Sequence, residues 1–145
     1  MRLPTLLAAL LAGLAFGSLA HAEDGYDLWL RYKPVEADAR APYAAAGAAI
    51  APVAATPTLS LARTELERGL TGLVAAPATA EAGARDGVVL IGTPETSPAI
   101  AKLALPLNAA GDEGYLIRTV RIGGKATTVI AANRDIGVLY GVFRY

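Results

Sequence analysis

Carboxylates are the first groups to weigh for chemistry in this chain, which has 13 Asp and Glu, 13 Lys and Arg, one His and no Cys in 145 residues. Without Cys there are no disulfides, zinc–thiolate sites, iron–sulfur clusters or thiol nucleophiles. The single His, His21, falls in a segment that reads as a removable leader. The mature chain therefore cannot assemble a Ser-His-Asp triad, a Cys-His pair or an imidazole metal site. No metal or cofactor is expected. Among the carboxylates, Glu65 and Glu67 stand two apart on a helix pattern and point in different directions. Asp112 and Glu113 lie in a Gly-flanked loop, where a solvated turn is their ordinary role. Asp135 sits where a helix N-cap belongs. Cleavage of a glycosidic bond by paired carboxyl groups needs two of them flanking that bond at a set separation, and no local spacing here specifies one. No catalytic residue is expected.

Other patterns invite chemistry and have simpler readings. Gly92 to Ser97 joins a strand pattern to a helix pattern, the place where phosphate loops occur. It lacks the Gly-x-x-x-x-Gly-Lys signature, and Pro94 and Pro98 remove two backbone donors, so a plain turn is expected. Gly137 and Gly141 have small-xxx-small spacing in a segment too short to span a bilayer, which points to close approach of a helix to a sheet. Trp29, Arg31 and Tyr115 remain as candidate sugar or interface contacts. A formal charge of zero excludes a strongly basic nucleic-acid footprint.

These residues must be positioned by an exported domain. Arg2 supplies a positive n-region, Leu6 to Phe16 an apolar run, and Ala20-His21-Ala22 a small-x-small cleavage site, so residues 1–22 read as a signal peptide cut before Glu23. The expected location is the periplasm or the exterior, with no membrane attachment after cleavage. Residues 23–145 then form one domain.

Leu28 to Lys33 alternates apolar and polar residues and stops at Pro34, which predicts a strand. Glu36 to Gly47 reads as a loop, and Ala48 to Ala55 as a weak strand demoted by Pro52. Pro57 opens a helix with Leu59, Ala62, Leu66, Leu70 and Leu73 on one stripe, its last turns weakened by Gly69 and Gly72. Pro77 to Asp86 is a connection. Gly87 to Ile91 predicts a strand buried on both faces. Ser97-Pro98 starts a short helix, and Asn108 to Glu113 is a loop. Tyr115 to Ile122, Gly123-Gly124 and Ala126 to Ala132 predict a hairpin. Asp135 caps a last helix in which Ile136, Leu139, Tyr140 and Phe143 recur at helical spacing. The order predicts an α+β fold: a two-layer mixed β-sheet with helices on one face. The helical pattern still runs at Gly141 to Tyr145, with no Gly, Asn or Pro to close it.

Several segments, in order, resemble one family. They are Tyr26-Asp27-Leu28-Trp29-Leu30-Arg31-Tyr32, Glu65-Leu66-Glu67-Arg68-Gly69-Leu70 with Gly72-Leu73, Ile91-Gly92-Thr93-Pro94, and Asn133 to Phe143. Together they resemble the N-terminal domain of α-glucuronidases, glycoside hydrolase family 67. The ending is also similar to the accessory domain that precedes the barrel of β-hexosaminidases. The resemblance implies a two-layer α+β domain packed against a catalytic (β/α)₈ barrel through the Ile136–Tyr145 helix. It implies a parent enzyme that removes (4-O-methyl)glucuronic acid from xylo-oligosaccharides with inversion and without metal, meeting the sugar only through that barrel. The barrel's catalytic motifs do not occur here, and a barrel needs about 250 residues. The chain alone is therefore expected to be inactive, the product of a truncated gene or a split reading frame. The alternative is a stand-alone periplasmic carbohydrate-binding or interaction domain. A partner surface predicts an apolar patch on the outer face of the last helix. A self-sufficient module predicts Trp29 or Tyr115 exposed in a cleft.

Overall fold

The computed structural model describes residues 30–47, 49–51, 53–76, 79–80 and 86–145. Two compact units divide the chain, residues 1–31 and 32–145, and of the first only Leu30 and Arg31 are described. The proposed leader therefore lies outside the described residues, as do Leu28 and Trp29. In order, the elements are α1 (Arg40–Ala46), β1 (Ala49–Ile50), α2 (Pro57–Val74), β2 (Thr79–Ala80), β3 (Val88–Gly92) and α3 (Pro98–Lys102). A 3₁₀ turn (Leu107–Ala110), β4 (Tyr115–Ile122), β5 (Lys125–Ala132) and α4 (Asp135–Arg144) complete them.

The five strands form one mixed sheet in the order β2-β1-β3-β5-β4. β1 runs parallel to β2 and β3, β3 runs parallel to β5, and β4 is antiparallel to β5. β3 lies in the middle and all five of its residues are buried, as its uninterrupted apolar run predicts. The β4–β5 hairpin turns on Gly123 (φ 57°) and Gly124 (φ 82°), left-handed values that a tight hairpin requires and that glycine adopts without a Cβ penalty.

Register sorts the strand residues onto two faces. Val89, Ile91, Ile130 and Ala132, with the half-buried Tyr115 and Ile117, meet Leu59, Ala62, Leu66 and Leu70 of α2 and Val138, Leu139 and Val142 of α4. The two long helices thus share one face of an α+β two-layer fold. On the other face Leu90, Val129 and Ala131 pack with Ile100 and Leu107, so the short α3 and the 3₁₀ turn give the sheet a second, smaller cover.

α2 begins where the sequence predicts. Thr56 is its N-cap, its hydroxyl accepting from the Leu59 N–H at 3.2 Å, and Pro57 occupies the first turn. Glu65 and Glu67 do diverge: Glu65 is buried, whereas Glu67 pairs with Arg63 at 2.7 Å on the outside. Gly69 and Gly72 do not end the helix, which runs on to Val74 and closes at Ala75 with φ 54°. They make room for Tyr32: a Cβ on Gly72 would lie 2.6 Å from the Tyr32 Cβ, and one on Gly69 3.1 Å from its ring.

Four local expectations are corrected. Leu30 to Lys33 is not a strand; Tyr32 turns to φ 37°. Just beyond it the Val35 N–H donates to the Leu73 carbonyl at 2.8 Å, so this segment caps a helix end instead of joining a ladder. Glu36 to Gly47 is not all loop, because α1 forms with Pro42 in its first turn, where a missing N–H is harmless. The weak strand at 48–55 shrinks to Ala49–Ile50. Thr79–Ala80, expected within a connection, is a parallel edge strand. Two-residue strands have too little sequence for periodicity to register.

Candidate functional site

α4 organises what the fold presents to solvent. Its N-cap is Arg134, with no side-chain cap. Asp135, expected to be that cap, is the first helical residue and accepts instead from the Thr56 hydroxyl at 2.7 Å. One hydrogen bond thereby joins the start of α2 to the start of α4 across the ends of β3 and β5. Around it lies a polar hollow of about 440 Å³, lined by Thr56, Thr93, Glu95, Thr96, Asn133 and Asp135 among others.

Most polar groups of this hollow hold the chain together. The Thr93 N–H donates to the Thr96 hydroxyl at 2.9 Å, and the Thr96 N–H donates back to the Thr93 hydroxyl at 3.1 Å. This closes the 92–97 segment as a strand-to-helix turn, and Ser97 then caps α3. The Asn133 amide donates to the carbonyls of Leu107 and Gly111, both at 2.8 Å, pinning the 3₁₀ turn. Arg134 pairs with Asp112 at 3.2 Å on the exposed rim.

Further along α4, Gly137 and Gly141 face inward. A Cβ on Gly137 would stand 2.6 Å from the Gly114 carbonyl oxygen, and one on Gly141 2.6 Å from Ile130. The small-xxx-small spacing is therefore a close-approach surface, as the sequence indicates. It also corrects the apolar stripe: Val138, Leu139 and Val142 are buried beside the glycines, whereas Tyr140 is 43% and Phe143 45% exposed. Counting apolar residues alone points the helix the wrong way, because the glycines mark where the backbones touch.

The outward rings border a groove of about 300 Å³ between α1, α2 and the last turns of α4, walled by Tyr32, Tyr43, Glu65, Leu70, Phe143 and Tyr145 among others. Burial pushes the Tyr32 phenol above its ordinary range, the Glu65 carboxylate pushes it further, and Arg68 partly offsets this. Burial raises Tyr145 as well, against a hydrogen bond with Thr128 that lowers it.

Of the residues singled out in the sequence, Trp29 lies outside the described residues, Arg31 is exposed, and Tyr115 is half-buried beneath α4 against Gly141. Tyr32 and Tyr43 are groove residues with no site role in the sequence pattern, and Glu65, weighed there only as half of a carboxylate pair, joins them in the groove. The available signal was Gly69-x-x-Gly72, a notch in a helix that a nearby aromatic can enter. Several carboxylates have structural work: Asp135 with Thr56, Glu67 with Arg63, and Asp86 with the Ala126 N–H at 2.7 Å. Among the described residues there is no group of three or more His, Cys, Asp and Glu able to hold a metal, and no helix long and apolar enough to cross a membrane.

The described residues form an α+β domain whose last helix leaves the Tyr140 and Phe143 rings exposed. Comparison with protein families matches residues 28–145 to the glycosyl hydrolase family 67 N-terminus. The chain belongs to that family, the N-terminal domain of α-glucuronidases, which normally accompanies a catalytic barrel domain. No curated protein matched.

Proposed function

We propose that this chain is the non-catalytic N-terminal domain of an exported α-glucuronidase that removes (4-O-methyl)glucuronic acid side groups from xylo-oligosaccharides, and that it docks the catalytic (β/α)₈ barrel through the outer face of α4. The observation that carries the docking is the row of rings at Tyr140, Phe143 and Tyr145, each 43–45% exposed, in a chain of this family. Exposed apolar side chains grouped at one end of a helix mark an interaction site. Aromatic residues are also enriched where interfaces form. Export rests on the leader pattern of residues 1–22.

The test is release of glucuronic acid from aldouronic xylo-oligosaccharides by the chain alone, by a separately expressed family 67 barrel, and by the two mixed. Activity that needs the barrel and rises on adding the chain supports the reading. Release by the chain alone overturns it, and tight binding of xylo-oligosaccharide by the chain alone favours the self-sufficient module instead.

A further inference from the structure

We infer that the groove between α1, α2 and the last turns of α4 is a socket for one arginine or lysine side chain of the catalytic barrel, an inference that rests on the docking reading above. Continuity is the first argument. Phe143 of α4 and Tyr145, its C-cap, are exposed rings that also belong to the groove wall, so a body lying on that end of the helix closes over the groove.

The second argument is the chemistry of the wall. Tyr32, Tyr43, Phe143 and Tyr145 present aromatic rings, and Leu66 and Leu70 are aliphatic. The described lining holds one carboxylate, Glu65, and no Lys or Arg, with Arg68 of α2 acting on the Tyr32 phenol from outside that lining. Glu65 is only 5% exposed. A long basic side chain suits such a wall: its apolar stem lies along the rings while its charged head reaches the carboxylate. Ring faces also attract cations. A carboxylate offers about four acceptor sites, so a neighbour already at Glu65 leaves room for a donor from the partner. An acidic side chain would meet like charge. An aliphatic one would cover the carboxylate and supply no donor to its remaining acceptor sites.

Association between the full chain and a separately expressed family 67 barrel, measured by calorimetry, tests the socket. Tyr43 is 57% exposed, so Tyr43→Ser leaves the fold intact. It is expected to weaken binding about fivefold, with Tyr43→Phe restoring it. Glu65→Gln is expected to weaken binding about tenfold or more through loss of the charge-assisted bond. If the wild-type chain binds and the Tyr43→Ser and Glu65→Gln chains bind equally well, the socket is wrong and the docking reading stands. If Glu65→Gln does not fold, the two Tyr43 variants decide by themselves. If the wild-type chain does not bind the barrel, the docking reading falls and the socket with it. Self-association through the groove, abolished by Tyr43→Ser in a chain that ignores the barrel, overturns both.

Discussion

The two ends of α4 border hollows of opposite character. At its start the hollow is polar, and its Thr hydroxyls, the Asn133 amide and the Asp135 carboxylate are engaged in bonds such as Thr56 to Asp135 and Thr93 with Thr96. At its end the groove is walled by rings, three of them from residues at least 43% exposed: Tyr43, Phe143 and Tyr145. Polar groups that satisfy one another internally tie elements together, whereas apolar surface left in water has its favourable burial still to come. Concavity alone therefore does not identify a site; the state of the lining groups does. In this domain the polar end is scaffold, and the aromatic end is the face we propose docks a partner.

The sharpest way to test the scaffold is at the glycines between the two ends. Gly137→Ala is expected to destabilise the fold by about 2–3 kcal/mol, although Ala is the better helix former by about 1 kcal/mol, because overpacking outweighs propensity where a Cβ meets backbone. Urea unfolding measures it. A loss under about 0.5 kcal/mol would show that α4 can lift from the sheet without consequence.

Thr56→Val removes both the cap of α2 and the bond to Asp135, and is expected to cost about 1–2 kcal/mol. Asp135→Asn should cost less, and the double variant should cost less than the two together because they share one bond. Full additivity would mean that the clamp contributes nothing as a pair.

Alkaline titration separates the ends differently. Tyr32 and Tyr145 have folded pKa values raised above the ordinary value of 10.0. Their folded-state preference for the neutral phenol is fully present below that pH and is lost as pH rises through the folded values. Unfolding midpoints should therefore fall above about pH 10, and Tyr32→Phe and Tyr145→Phe should flatten the decline. The same decline in both Phe variants would place its origin outside the groove.

The smallest effect is expected on the outer face. Tyr140→Ser should leave stability within about 0.5 kcal/mol of the parent while weakening association with the barrel. A marked loss of stability would make Tyr140 part of the core and remove the distinction between the two ends.

Much of this was legible in residue order. The run from Val88 to Ile91 reads as a strand buried on both faces, the Gly123-Gly124 pair as a hairpin, and Pro57 followed by a leucine stripe as a helix start, because each signal is local. The groove was not legible. Tyr32 and Tyr43 come from segments whose patterns suggest a strand and a loop, and nothing local says that the first would wedge against Gly69 and Gly72. Family likeness, by contrast, lay in short motifs spread over the whole domain and needed no coordinates.

By itself, then, the sequence determined the α+β class, the hairpin, the starts of α2 and α3, the exclusion of thiol chemistry, and the family. Local propensity, turn chemistry and composition act at short range and leave their marks in residue order. Only the tertiary structure decided which way α4 faces, that Asp135 reaches back to Thr56 from 79 residues away, and that Glu65 shares a groove with four rings. Those outcomes depend on how closely two backbones approach, a property of packing between distant elements that no window of sequence contains.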